Sequence, residues 1–322
     1  MDLVLVFTFL MGLAILMYVL LDGYDLGIGM LMPAAPRDEQ ELMVASIAPF
    51  WDANETWLVL GVGLLLVAFP VANGEILAAL YMRVAAMLVG LMLRGVAFEL
   101  RVKAEGWHRE LWNWLFWAGS TLASFAQGLM LGRYVTGFAE GFGYWLFAAT
   151  VGASLCGGYV LLGATWLILR TRGELHDKAV RWARWGLLWV ALGIALVSIG
   201  TPLVSATVRE RWFDFPRTLA LMVLPAATLA IGIWVWIVAP KSDTKPFAGA
   251  AAIFVLAFIG LAYSLFPYVV LDKLTVWDAA ADSSALEFMA VGAFLVLPFI
   301  LGYTVYSYRV FRGKVEHGMY EH

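Results

Sequence analysis

The sequence predicts an all-α integral membrane protein, a bundle of about nine transmembrane helices. Of its 322 residues, 62% are hydrophobic and only 14% are charged, whereas an ordinary soluble domain is about half apolar and about a quarter charged. The apolar residues are also gathered into long segments, and an α-helix needs roughly 20 of them to cross a hydrocarbon core of about 30 Å. The single cysteine, Cys156, excludes an internal disulfide and a CxxC pair.

Nine apolar segments are long enough to span a membrane. They are residues 3–32, 50–72, 76–100, 112–134, 142–169, 184–206, 217–239, 247–271 and 285–311. The first segment lacks the basic start and small-residue cleavage site of a secretory signal, so we expect it to be a retained span. The connections are short and no repeat is evident. Residues 1–322 are therefore predicted to form a single polytopic membrane domain.

The distribution of Lys and Arg predicts the orientation of the bundle. The first, third, fifth and seventh connections and the C-terminus share one side. Fourteen basic residues lie there: Arg37, Arg101, Lys103, Arg109, Arg170, Arg172, Lys178, Arg181, Arg184, Lys241, Lys245, Arg309, Arg312 and Lys314. The opposite side has five: Arg133, Arg209, Arg211, Arg217 and Lys273. By the positive-inside rule the N-terminus is outside and the C-terminus is cytoplasmic.

Two pairs of acidic residues interrupt the apolar segments. Asp22 and Asp25 lie in the cytoplasmic half of the first predicted helix, and Asp52 and Glu55 lie at the cytoplasmic start of the second. Each pair is spaced i, i+3, so its members share one helix face. We expect the four carboxylates to converge at one depth, where desolvation and mutual repulsion favour a protonated form. Such groups are suited to a proton relay.

These acids also have a purely structural interpretation, which is an alternative to the proton relay. Asp52 and Glu55 could simply cap or begin the second helix, because acids are favoured in a first turn. That interpretation is weaker for Asp22 and Asp25, since acids at a helix C-terminal end oppose the helix dipole. Gly23 and Gly27 form a G-x-x-x-G pair that permits close helix contact. The acids of the first helix are therefore expected in the protein interior.

The third segment ends in RGVAFELR, where Arg94 lies deep enough to need a partner. Either Glu99 or an acid on another helix could serve, and a structural ion pair is the favoured interpretation. The four histidines lie in predicted loops or in the C-terminal tail: His108, His176, His317 and His322. No predicted span contains a histidine, so this chain is not expected to ligate haem through one.

Five motifs together resemble subunit II of the cytochrome bd quinol oxidases. They are LLDGYDLGIGM, SIAPFWDANETWL, RGVAFELR, GATWLILRTRGELH and LTVWDAAADSS, in the family's order and at similar spacing. The resemblance covers nearly the whole chain. It implies a multi-pass protein of the bacterial plasma membrane that forms a heterodimer with subunit I, with a small accessory subunit as a further possible partner. It gives no reason to expect binding to nucleic acid.

In that family, subunit I carries the quinol site, two b-type haems and the d-type haem that reduces oxygen to water. Subunit II is haem-free, supports subunit I and lines a cytoplasmic proton path. The resemblance assigns Asp52, in the W-D-x-N motif, and Asp25 to that path. The residues expected to relay protons are thus Asp25, Asp52, Glu55 and Asp22. Those expected to shape the structure or an interface are Gly23, Gly27, Trp51, Trp57, Arg94 and Glu99. No catalytic residue and no metal ligand is expected in this chain.

The sequence departs from the family pattern in three places. Ala53 stands where members often have Gly, and Glu55 stands where some have Gln. The connection at 207–216 is short, which resembles the branch of cyanide-insensitive oxidases. Two other functions stay open at this point: a secondary transporter that couples protons through Asp25 and Asp52, and an assembly scaffold without a relay. Transporters usually have inverted repeats and broken helices, and no repeat is found here.

Overall fold

The computed structural model describes residues 2–315. Twelve α-helices, a short 3-10 helix at Met32–Ala34 and one small hairpin make up this described part of the chain. The helices are α1 Leu3–Leu31, α2 Arg37–Ile47, α3 Trp51–Ala68, α4 Pro70–Arg101, α5 Gly106–Val135, α6 Phe142–Arg170, α7 Gly173–Val204, α8 Ala206–Phe213, α9 Arg217–Leu221, α10 Val223–Val238, α11 Lys245–Leu265 and α12 Ser283–Val310. The predicted all-α membrane class is confirmed.

The number of membrane crossings differs from the predicted nine. Within the described residues, seven helices are long and apolar enough to cross, or eight if α2 and α3, bent by 52°, form one span. Each predicted segment does fall largely within helix. However, α5 is not among the seven, because its middle carries small and polar residues such as Ser120, Ser124 and Gln127. The orientation across the membrane stays a prediction.

Several predicted boundaries were wrong. Segment 247–271 stops being helical at Leu265. Segment 217–239 is confirmed as one candidate span, Thr218–Val238, despite a one-residue interruption of the helix at Met222. Two helices extend beyond the predicted spans, so His108 and His176 lie in the first turns of α5 and α7 rather than in loops. His317 lies outside the described residues, as does His322.

Helix α1 is central to the bundle, packing against α3, α5 and α6 and touching α11 and α12. Its contact with α6 is made through backbone, because Gly27 has no side chain. A Cβ built at Gly27 would lie 1.8 Å from the carbonyl oxygen of Tyr159 and 3.0 Å from the nitrogen of Gly163. Small residues allow such close approach in membranes. This contact fixes the acidic end of α1 inside the bundle.

A series of antiparallel neighbours extends from this centre. Helix α4 packs on α5, α5 on α6 and α6 on α7, while α10 and α11 form a further pair. The crossing of α4 and α5 again depends on glycine, since a Cβ at Gly90 would lie 2.7 Å from the nitrogen of Ala123. Helix α12 is the least enclosed and exposes most of its apolar side chains.

One end of the bundle is closed by the hairpin, β1 Tyr268–Val270 paired antiparallel with β2 Leu274–Thr275. The Tyr134 hydroxyl donates to the carbonyl of Val269 over 2.5 Å. The Trp277 indole donates to Asp2 over 2.9 Å, and Asp2 caps α1 by accepting from the Val4 amide. These bonds connect the start of α1 to the segment before α12.

The opposite end holds the C-terminal segment. The amide of Val315 donates to the carbonyl of Arg170 over 2.8 Å. Lys314 Nζ donates to the carbonyl of Ile168 and lies 2.9 Å from an Asp243 carboxylate oxygen. His176 Nε2 lies 3.4 Å from the other Asp243 oxygen. Asp243, in the loop between α10 and α11, therefore connects three parts of the chain.

We expect Asp243→Asn to expose the C-terminal segment to trypsin at Lys314. The Lys314 ammonium lowers the pKa of Asp243 below its ordinary value of 3.8, so this pair stabilises the fold above about pH 3.8 and is lost only as pH falls further. Limited proteolysis at neutral pH should cut the variant several-fold faster. The control is Asp177→Asn, whose carboxylate lies 3.5 Å from the neighbouring His176 ring and pairs with no lysine among residues 2–315. Equal cleavage of both variants would contradict this account.

Candidate functional site

The acidic end of α1 lies wholly inside the protein. Asp22 and Asp25 have no exposed surface, and their i, i+3 spacing places them on one helix face. Ionisable side chains at membrane depth are costly unless they are paired or line a polar path. A partner on a neighbouring helix is therefore required.

Arg94 of α4 supplies that partner. Its NH1 lies 2.6 Å from Asp22 Oδ1, and its NH2 lies 3.9 Å from Asp25 Oδ2. Arg94 is itself 1% exposed. Of the two partners considered from sequence, the acids on another helix are the observed ones. Glu99 is exposed and forms no ion pair within the described residues.

Aromatic rings shield this ion-pair cluster. The Arg94 guanidinium lies 5.7 Å from the centroid of the Trp51 ring, and Trp51 packs on Phe98 at 4.9 Å. Trp57, 1% exposed, packs with Ala14 and Tyr18 of α1. The two tryptophans of the second motif thus fix α3 against α4 and α1, respectively.

Asn54 of α3 connects the ion-pair cluster to the end of α12. Its Nδ2 donates to Asp25 Oδ2 over 2.8 Å and to the Tyr24 hydroxyl over 2.8 Å, with a longer contact of 3.3 Å to the carbonyl of Leu21. Its Oδ1 accepts from the Tyr308 hydroxyl over 3.1 Å. A buried amide with this many bonds orients the Asp25 carboxylate.

The two tyrosines on Asn54 also bond to each other. The hydroxyl oxygens of Tyr24 and Tyr308 are 2.6 Å apart. Tyr24 stacks on Trp166 at 4.1 Å, and Tyr308 stacks on Phe50 at 4.6 Å. The end of α12 is thereby joined to the acids of α1 through hydrogen bonds.

A second polar branch lies one helical turn from Asp22 toward the start of α1. The Tyr18 hydroxyl accepts from Gln127 Nε2 over 2.7 Å, and Gln127 Oε1 accepts from the Tyr159 hydroxyl over 2.7 Å. Tyr18 and Asp22 share a helix face because they are four residues apart. Polar side chains from α1, α5 and α6 therefore meet in the bundle interior.

The four predicted carboxylates do not all meet at one point. Glu55 is half-buried and lies within electrostatic reach of Arg94 and Asp22 as well as Asp52. Asp52 is exposed. Helix α3 begins at Trp51, and the residue before it makes no side-chain cap. Asp52 is thus in the first turn, where the helix dipole favours it, but it does not cap the helix.

The two glycines of the first motif lie against α6. A Cβ at Gly23 would come 2.7 Å from the ring of Tyr159, and Gly27 meets the α6 backbone as described above. Both positions therefore require glycine for the observed helix contact.

Sequence reasoning missed Asn54, Tyr24, Tyr308, Gln127 and Tyr159. Tyr24 lies within LLDGYDLGIGM and Asn54 within SIAPFWDANETWL, so their place in these two motifs could have marked them as candidates. Nothing in the sequence connected the other three, which lie on separate helices far along the chain.

The described residues offer few side chains that are placed to bind a metal ion or a haem iron. They contain no group of three or more His, Cys, Asp or Glu side chains placed to hold a metal ion. His108 and His176 begin helices α5 and α7, and His176 already contacts Asp177 and Asp243.

The chain is similar to known proteins over nearly its whole length. Residues 3–311 match the family described as cytochrome bd terminal oxidase subunit II. The chain is 30% identical over 319 residues to "Cytochrome bd ubiquinol oxidase subunit 2" of Bacillus subtilis (strain 168), with 92% of each covered. It is 28% identical over 355 residues to "Cytochrome bd-I ubiquinol oxidase subunit 2" of Escherichia coli (strain K12), covering 95% of this chain and 93% of that one.

A solved structure has the same fold. A chain of the bd oxidase from Geobacillus thermodenitrificans aligns with a TM-score of 0.77, covering 97% of this chain and 99% of that one. At 16% sequence identity, this likeness supports the fold alone.

Proposed function

The chain belongs to the cytochrome bd terminal oxidase subunit II family, and we propose that its part in the complex is to conduct protons toward the site of oxygen reduction. As a family member it is a subunit of a quinol oxidase, a multi-pass membrane oxidoreductase whose complex uses haem and quinol. This membership removes the reason to consider a secondary transporter.

We further propose that residues 1–322 act as one polytopic unit in the bacterial plasma membrane, paired with a haem-bearing subunit I. The poor donor set supports placing the haems in the partner, because the described histidines begin helices and one already bonds to acids. In this arrangement the present chain binds its partner and moves protons, while haem supplies the electron transfer and oxygen chemistry.

The proposal rests on three carboxylates whose burial increases from the protein surface to its interior. Asp52 is exposed, Glu55 is half-buried and Asp25 is fully buried. Electrostatic interaction couples Glu55 both to Asp52 and to the acids around Arg94. In the proposed path Asp52 takes a proton from water, Glu55 passes it inward, and Asp25 receives it beside Asn54.

Arg94 and Asn54 act in this path as positioning residues. Arg94 offsets the negative charge of Asp22 and Asp25, which could not both be held ionised in an apolar interior without it. Asn54 fixes one oxygen of Asp25 by its 2.8 Å bond. Asp22 sits in the closer of the two ion pairs, at 2.6 Å, so we assign the mobile proton to Asp25.

Asp52→Asn tests the path. Asparagine keeps the size of the side chain but does not titrate near neutral pH. We expect normal assembly and haem content with quinol-driven oxygen consumption lowered by about 10²-fold, the lower end of the usual contribution of a positioned proton donor or acceptor.

The matched control is Asp38→Asn, an exposed acid in the first turn of the neighbouring α2, which should retain wild-type turnover. If Asp52 only favours the helix start, its Asn variant should likewise turn over normally and lose at most about 1 kcal/mol of stability. That result would favour an assembly scaffold without a proton relay.

A further inference from the structure

A groove between α4 and α5, bordered by the start of α6, lies away from the acidic cluster. It has a volume of about 200 Å³ and an almost wholly apolar lining. Its lining residues are Met82, Arg83, Ala86, Leu122, Phe125, Ala126, Leu129 and Trp145. Arg83 is the single charged residue in this lining.

Two arginines share one tryptophan at the end of the groove. The guanidinium of Arg83 lies 4.4 Å from the Trp145 ring centroid, and that of Arg133 lies 4.9 Å from it. Glu140 pairs with Arg133 at 2.5 Å and accepts from the Trp145 indole at 3.3 Å. Two cations and one carboxylate leave a surplus positive charge.

That surplus resides on Arg83. Its NH1 donates to the carbonyl of Ala79 in its own helix over 2.9 Å, and no described carboxylate lies within ion-pair distance of it. Its Nε is buried without a hydrogen-bond partner in the described residues. The bond to Ala79 directs the guanidinium toward the helix start, as in a snorkelling arginine.

The surroundings of this cation are typical of a membrane boundary. Arg133 is in the last turn of α5, and Trp145 is in the first turn of α6, so two of the three helices end here. Tryptophan is enriched at the membrane–water interface. Below the cation the groove continues along Ala86, Leu122 and Phe125, which are at least partly exposed at the protein surface.

We propose that this groove binds one anionic phospholipid, with its phosphate on Arg83 and an acyl chain along the apolar lining. A phosphate group supplies the negative charge that Arg83 lacks, and Arg binds phosphate through paired N–H donors. The Trp145 ring, held by Glu140, covers the guanidinium and closes one side of the headgroup site.

The test uses the whole purified oxidase complex in nanodiscs that contain phosphatidylglycerol and phosphatidylcholine, followed by native mass spectrometry of bound lipid. Wild type should retain phosphatidylglycerol in preference to phosphatidylcholine. Arg83→Gln should lower that preference about tenfold, since a charge-assisted hydrogen bond to the phosphate is lost.

Two further variants separate the headgroup from the groove. Arg209→Gln removes an exposed arginine on the short helix α8 and should leave the preference unchanged. Ala86→Phe fills the groove and should release the lipid with Arg83 intact. The proposal is overturned if Arg83→Gln keeps the wild-type preference, or if wild type retains no phosphatidylglycerol because a partner protein covers the groove.

Discussion

Leucine at position 27 is expected to prevent assembly of the oxidase complex. A Cβ at Gly27 would already lie 1.8 Å from a main-chain oxygen of α6, so the two helix backbones would have to separate. Overpacking usually costs about 1–3 kcal/mol where side chains can move aside, and here the obstacle is backbone. Since α1 carries Asp22 and Asp25, its displacement would also break the ion pairs with Arg94.

Yield of intact complex after size-exclusion chromatography, read from the haem absorption, measures this effect. Gly27→Ala should lower the yield and Gly27→Leu should remove nearly all of it. Gly232→Leu, in α10, is the matched control, because a Cβ there meets nothing within 4 Å. A Gly27→Leu complex recovered at wild-type yield would show that the α1–α6 contact is not required.

Arg94→Met is expected to destabilise the complex by about 3–5 kcal/mol, the range for removing one partner of a buried ion pair. Methionine fills similar space but leaves Asp22 and Asp25 without a cation in the interior. The midpoint of thermal denaturation of the purified complex should fall accordingly. Arg181→Met, at an exposed position of α7, should have little effect.

A second substitution tests whether unpaired charge is the cause. Asp22→Asn added to Arg94→Met removes the carboxylate that Arg94 pairs with most closely. The double variant should regain part of the lost stability, because it buries fewer unpaired charges. A double variant less stable than Arg94→Met alone would be inconsistent with the ion-pair account.

Much of the acidic site could be predicted because the membrane imposes strict requirements. Asp22 and Asp25 inside an apolar segment must be buried in protein, and Arg94 must have a partner. Helical spacing then places both acids on one face. These requirements follow from local sequence and from the cost of burying charge, so a single chain was enough to find them.

The rest depends on contacts between distant segments. The bond from Tyr308 to Asn54 joins residues on α12 and α3, and no periodicity connects them. The apolar run YVVL was predicted to end the eighth span, 247–271, whereas Tyr268–Val270 forms a strand. Apolar composition alone does not distinguish a buried strand from a helix. The exposure of Asp52 depends on how α3 is rotated against its neighbours.

In the proposed path, protons for oxygen reduction enter through Asp52 and reach Asp25. If they are drawn from the cytoplasm, turnover moves charge across the membrane, and each charge moved against 100 mV involves about 2.3 kcal/mol. The path therefore predicts a loss of proton uptake, not merely a loss of stability, when either carboxylate is replaced.

The most direct measurement is proton uptake from the side of Asp52 during oxygen reduction by the complex reconstituted in vesicles, followed with a pH-sensitive dye. Wild type and Asp38→Asn should take up protons in step with oxygen consumption. Asp52→Asn and Asp25→Asn complexes with full haem content should show uptake and turnover lowered together by about 10²-fold. Wild-type uptake and turnover in both variants would contradict the proposed path.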